Sequence, residues 1–103
     1  MKVGMIGGRT STLGFGALGV DTFAVPRPED APEVWRLVDP SEYAVLFVTE
    51  PIYDVLREEL EAVSRQPMPV ITVIPAVTGG GGTGLKELKV LVERAVGTDV
   101  LLR

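Results

Sequence analysis

The chain contains no cysteine and no histidine. Without cysteine it can form neither a disulfide nor a thiolate metal site. Without histidine it lacks the commonest general base and the imidazole ligand most metal centres use, which lowers the expectation of hydrolytic or metal chemistry. Positive charge is also scarce. Ten Lys and Arg stand against 14 Asp and Glu, for a net charge of −4 and an isoelectric point near 4.7. The cations are scattered and form no stripe, so neither nucleic acid nor an anionic membrane is expected as a direct partner. No apolar run approaches the ~20 residues of a membrane span. Met1 and Lys2 lead straight into a strand-like segment with no signal-peptide pattern, so a cytoplasmic location is expected.

What the chain does have is apolar residues. They make up 46% of 103 positions, and the mean hydropathy is +0.28. A single domain of this length has a small core. Such richness suits a parallel sheet covered on both faces, or an apolar surface that another protein covers.

Read in order, apolar runs alternate with helix-like segments. Residues 2–6 form a short apolar run stopped by Gly7 and Gly8, which predicts a buried first strand. Thr10, Ser11 and Thr12 offer N-cap hydroxyls for a helix through Leu13, Phe15, Ala17 and Leu18, with Gly19 as its stop. Gly14 and Gly16 weaken that helix by ~1 kcal/mol each relative to Ala, which suggests a close backbone approach. Residues 20–25 read as a second strand, ended by Pro26. A second helix is expected over 28–39, where Asp30 and Glu33 have capping-box spacing and Val34, Leu37 and Val38 form an inner stripe with Trp35 beside them. Residues 43–49 give the strongest strand signal. Pro51 then opens a third helix, with Ile52, Val55, Leu56, Leu60 and Val63 at helical spacing. Asp54, Arg57, Glu58, Glu59 and Glu61 lie on its solvated face. Residues 70–74 are a fourth strand, stopped by Pro75. Phe15, Trp35, Tyr43 and Phe47 are expected in the core.

This alternation predicts an α/β domain over residues 1–76, with a four-stranded parallel sheet flanked by helices in a Rossmann-like or receiver-like three-layer sandwich. A glycine-rich hinge at 77–84 (Gly79, Gly80, Gly81, Gly82, Gly84) would tether a C-terminal amphipathic helix and tail over 85–103. Leu85, Leu88, Leu91, Val92 and Val96 line one stripe of that helix. The stripe suits a helix covering the sheet and a helix docking on a partner equally well.

Three glycine patterns suggest a nucleotide. Gly14-Phe15-Gly16-Ala17-Leu18-Gly19 fits G-x-G-x-x-G, but it ends a helix and precedes a strand, the reverse of a dinucleotide fingerprint. The segment from Gly79 to Lys86 has P-loop spacing, yet Leu85 stands in the lysine position and Glu87 follows Lys86 where Ser or Thr is needed, so a hinge is the better reading. The loop Gly7-Gly8-Arg9-Thr10-Ser11 is better placed, because it joins a strand to a helix and could offer backbone N–H groups to an anion. A phosphorelay receiver is excluded. Thr49 and Glu50 stand where its phosphoacceptor Asp would be, Gly7 and Gly8 replace its paired acids, and Pro75 replaces its lysine.

Several segments in order resemble one family: Val3-Gly4-Met5-Ile6-Gly7; Thr12-Leu13-Gly14-Phe15 with Leu18-Gly19-Val20; Phe47-Val48-Thr49-Glu50; Pro69 with Ile74-Pro75; and Thr83-Gly84-Leu85 followed by Val92-Glu93, Ala95-Val96-Gly97. Together they are similar to the F subunit of V/A-type ATPases and ATP synthases, lettered G in some sodium-pumping bacterial complexes. Members often carry an acidic residue where this chain has Gly8. The resemblance implies a rotor component without catalytic, cofactor or metal residues, seated on the central stalk and peripheral to the membrane through the complex. It implies binding to the coiled-coil D subunit, with contacts to the ATPase head and the ring adaptor, and roles in torque transmission and in regulating hydrolysis-coupled ion transport. The expected partner surface is Val73, Ile74, Leu85, Leu88, Leu91, Val92 and Val96. The alternative is a small ligand-sensing α/β module that binds an anion or nucleotide at residues 7–11.

Overall fold

Lys2–Gly7 forms β1 and Tyr43–Thr49 forms β3. Both are apolar towards both sides because both lie inside the sheet. The computed structural model of the chain describes residues 2–75. Asp21–Ala24 is β2 and Val70–Ile74 is β4. The strand order is β2-β1-β3-β4, and each neighbouring pair is parallel. The α/β class and the four-stranded parallel sheet are therefore as the alternation predicts. The hinge glycines and the helix expected after them lie outside the described residues.

The sheet divides two cores. On one side Ile6, Leu46 and Val48 pack with Val25, Ala31, Val38, Ile52, Leu56 and Leu60. On the other, Val3, Met5, Val45, Phe47 and Ile74 pack with Phe15 and Val20. Phe15 and Phe47 meet with ring centroids 5.3 Å apart at 45°, a tilted pairing that adds modestly to their burial. Phe15, Tyr43 and Phe47 are buried as expected, while Trp35 is half-buried against the first core.

The helices differ from expectation in detail. The first, α1, runs Arg9–Gly16, and its N-cap is Gly8. None of the three hydroxyls caps it. The Thr12 hydroxyl instead donates back to the carbonyls of Gly8 (3.1 Å) and Arg9 (2.9 Å), and Ser11 and Thr12 are buried on the helix's inner side. Leu13 points outward and is 77% exposed. Gly19 does close the turn at φ +81°, a conformation that favours glycine. Gly16 is not a close-approach position, since an added Cβ would come no nearer than 3.9 Å to the Thr22 methyl. Close approach occurs in the strands, at Gly4 and Gly7.

The helix expected over 28–39 is broken up. A 3₁₀ turn at Pro28–Asp30 precedes a five-residue α2 at Ala31–Trp35, and a second 3₁₀ turn follows at Pro40–Glu42. The Asp30–Glu33 capping box does not form, as Asp30 makes no side-chain cap bond. Asp39 accepts from the Ser41 N–H (3.1 Å) and hydroxyl (2.6 Å), which holds the second turn. So short a segment gains little from helix propagation, and only Val38 of the proposed stripe reaches full burial; Leu37 is 76% exposed. The third helix is two, α3 at Glu50–Val55 and α4 at Arg57–Ser64, divided at Leu56 with φ −97° and ψ 18°. The break leaves Ile52, Leu56 and Leu60 all buried and Val55 at the surface. The acidic face is solvated as expected, with Arg57 paired to Asp54 at 3.0 Å.

Candidate functional site

Two features of the sheet bear on function: the carboxyl edge at its centre and the exposed apolar residues along β4. At the centre, the chain leaves β1 towards α1 and leaves β3 towards α3. Phe15 of α1 packs in one core and Ile52 of α3 in the other, so these two connections depart to opposite faces. In a doubly wound sheet this divergence opens a crevice at the carboxyl ends of the strands.

Such a crevice exists. It is a cleft of about 240 Å³ lined by Gly8, Arg9, Thr10 and Ser11 after β1, by Val25, Pro26 and Pro28 after β2, by Thr49 at the end of β3, and by Pro51 and Ile52 after it. The loop 7–11 singled out in the sequence forms one wall. The other two walls come from segments about 15 and 40 positions further on, joined only by folding. Among the described residues no carboxylate lines the cleft. Arg9 is exposed and pairs with no carboxylate among the described residues. Gly7, just below, is required by packing, because an added Cβ would lie 2.6 Å from the Met5 methyl and 2.7 Å from that of Thr49. Among the described residues no group of three or more acidic side chains could hold a metal ion.

The opposite, amino edge is polar and held by charge. The Tyr43 phenol donates to Asp21 Oδ2 at 3.2 Å, and Lys2 lies 3.8 Å from Asp21 and 3.6 Å from Glu42. Burial, followed by the hydrogen bond to Asp21 and the negative charges of Asp21, Glu42 and Asp39, pushes the phenol up to about 12. This cluster braces the fold.

Along β4, Val70 and Val73 are 55% and 42% exposed, and Met68 just before it is 47% exposed. Ile74 is 3% exposed and belongs to the core that holds Phe15 and Phe47. Of the two strand residues expected at a partner surface, only Val73 stands at the surface. Leu85, Leu88, Leu91, Val92 and Val96 lie outside the described residues. Among the described residues no helix is long and apolar enough to cross a membrane.

Residues 3–92 match the family model described as ATP synthase (F/14-kDa) subunit. The chain belongs to that family. Relatives agree along nearly the whole length. It is 36% identical to the F subunit of the V-type ATP synthase of Clostridium perfringens (strain 13) over 100 residues, covering 97% of this chain and 95% of that protein. It is 34% identical to the corresponding V-type F subunit of Clostridium botulinum (strain Eklund 17B), covering 97% of each. It is 31% identical over 102 residues to the F subunit of the A-type ATP synthase of Methanothermobacter thermautotrophicus, covering 97% and 96%. The family match extends past β4 into the apolar stripe of residues 85–92, so that stripe belongs to the shared sequence.

Proposed function

We propose that the chain is a non-catalytic central-stalk component of a V/A-type ATP synthase or ATPase. It binds the coiled-coil D subunit of the rotor, contacts the ATPase head and the ring adaptor, and contributes to torque transmission and to regulation of the complex, which it joins from outside the membrane. The observation that carries this reading is the family match over residues 3–92, which takes in both the α/β body and the amphipathic stripe. The physical support is the exposed apolar set on β4 and before it, Met68, Val70 and Val73. These side chains continue the apolar character of Leu85, Leu88, Leu91, Val92 and Val96, and such a surface is stabilised by burial against a partner helix. The glycines Gly79, Gly80, Gly81, Gly82 and Gly84 act as the hinge that lets the stripe reach that partner.

The test is co-expression with the D-type coiled-coil subunit of the same complex, comparing the native chain with the double variant Leu88→Asp and Val92→Asp. The variant is expected to lose the complex while its circular dichroism remains that of a folded α/β body. A complex of undiminished stability would refute the interface.

A further inference from the structure

We propose that the cleft at the carboxyl edge of β1 and β3 binds a phosphate-sized oxyanion, held by the N–H groups that open α1, by the Arg9 guanidinium and by the Thr49 hydroxyl. The first intrahelical bond of α1 runs from the Thr12 N–H to the Gly8 carbonyl at 3.0 Å. The N–H groups of Arg9 and Thr10 precede it and so have no acceptor within the helix. They lie in residues that line the cleft, at the positive end of the helix dipole.

The second observation is Thr49. It lines the same cleft, it is 2% exposed, and its side chain makes no cap bond to α3 although it occupies the N-cap position. Among the described residues no buried side-chain oxygen is both fully enclosed and unbonded. An unbonded Thr49 hydroxyl therefore keeps an opening, and Thr49 is one of the residues that border the cleft. Buried polar groups are normally satisfied, and a hydroxyl left open at the head of a helix is suited to donate to an anion. The charge balance agrees. In a chain of net charge −4, the described residues give this cleft one arginine and no acid. Val25, Pro26 and Ile52 give one wall of the cleft an apolar lining, and less polar surroundings strengthen charge-assisted hydrogen bonds. This inference does not depend on the stalk assignment, because the isolated full chain suffices for its test.

The measurement is a two-dimensional amide NMR titration of the full chain with inorganic phosphate, against sodium chloride at matched ionic strength. Saturable shifts are expected at Arg9 and Thr10, with weaker effects elsewhere. Arg9→Gln should weaken the apparent affinity roughly tenfold and Thr49→Val roughly threefold to tenfold. Gly8→Asp, which sets a carboxylate at the mouth, should abolish the saturable component. ATP in place of phosphate distinguishes the source of the oxyanion: saturation of the same amides at lower concentration identifies a nucleotide's phosphoryl group, and saturation by phosphate alone identifies the free ion. Shifts that merely follow ionic strength, or that survive unchanged in folded Arg9→Gln and Thr49→Val proteins, overturn the proposal.

Discussion

The phenol of Tyr43 at the start of β3 reaches across β1 to donate a hydrogen bond to Asp21 of β2, at 3.2 Å and 22 positions back along the chain. The path is open because β1 carries Gly4 at that point, where a Cβ would lie 2.8 Å from the Tyr43 ring and 2.8 Å from Leu46 Cδ2. Phe23 supports the ring edge-on at 6.1 Å. Three strands are thus tied together at one end by a residue that has no side chain and one that has a long one.

This tie has a pH signature. The folded-state phenol is pushed up to about 12, against about 10 in an unfolded chain. The folded state therefore holds its proton more tightly. The stability this confers is complete below about pH 10 and is lost as pH rises through about 12. Urea denaturation across that window should show the native chain losing stability faster than Tyr43→Phe. Parallel curves for the two proteins would remove Tyr43 from the account.

Gly4→Ala should destabilise the body by about 1–3 kcal/mol, since overpacking forces the Tyr43 ring or Leu46 to move. The tyrosine contribution to the pH dependence should disappear with it, because the ring then no longer reaches Asp21. Denaturant midpoints for the single variants and for Gly4→Ala combined with Tyr43→Phe check this: the pair should be less than additive.

Gly8→Asp should act in the opposite direction. The position has φ −67° and ψ 170°, open space for a side chain, and the N-cap of α1 to satisfy. A carboxylate there accepts from the first turn, and the loss of glycine narrows the unfolded ensemble, for a gain of about 0.5–1 kcal/mol. A lowered thermal midpoint would show that the loop cannot accept a cap.

Phe15→Ala should cost about 3–5 kcal/mol. Phe15 is the large fully buried side chain of α1, so its removal leaves a cavity over Phe47. A domain of this size has about 5–15 kcal/mol in all. Chemical denaturation should show a sharply reduced midpoint, and a loss below about 1 kcal/mol would mean that α1 is held by something other than this contact.

Strands were the most legible part of the sequence. Residues 43–49 and 70–74 are apolar runs bounded by breakers, and they form strands with those bounds. Helices were less so. The capping-box letters at Asp30 and Glu33 describe a local option, but Asp30 is the last residue of the Pro28–Asp30 3₁₀ turn and takes φ −84° and ψ −6°, not the extended backbone of a capping residue. Nothing in the letters around Leu56 marks a break, because the break follows from where the sheet needs Ile52, Leu56 and Leu60. The cleft was half legible. Residues 7–11 stood out as a strand-to-helix glycine loop, whereas Val25 and Thr49 joined it only through the strand order β2-β1-β3. Thr49 read as the end of an apolar strand, with no sign that its hydroxyl would lie unbonded beside the first turn of another helix.

The central claim is assembly on the rotor stalk, and its most direct test is light scattering on a size-exclusion column of the full chain co-purified with its D-type coiled-coil partner. A single peak with the mass of a 1:1 pair is the predicted result. Two separate peaks, with the α/β chain folded and alone, would contradict it.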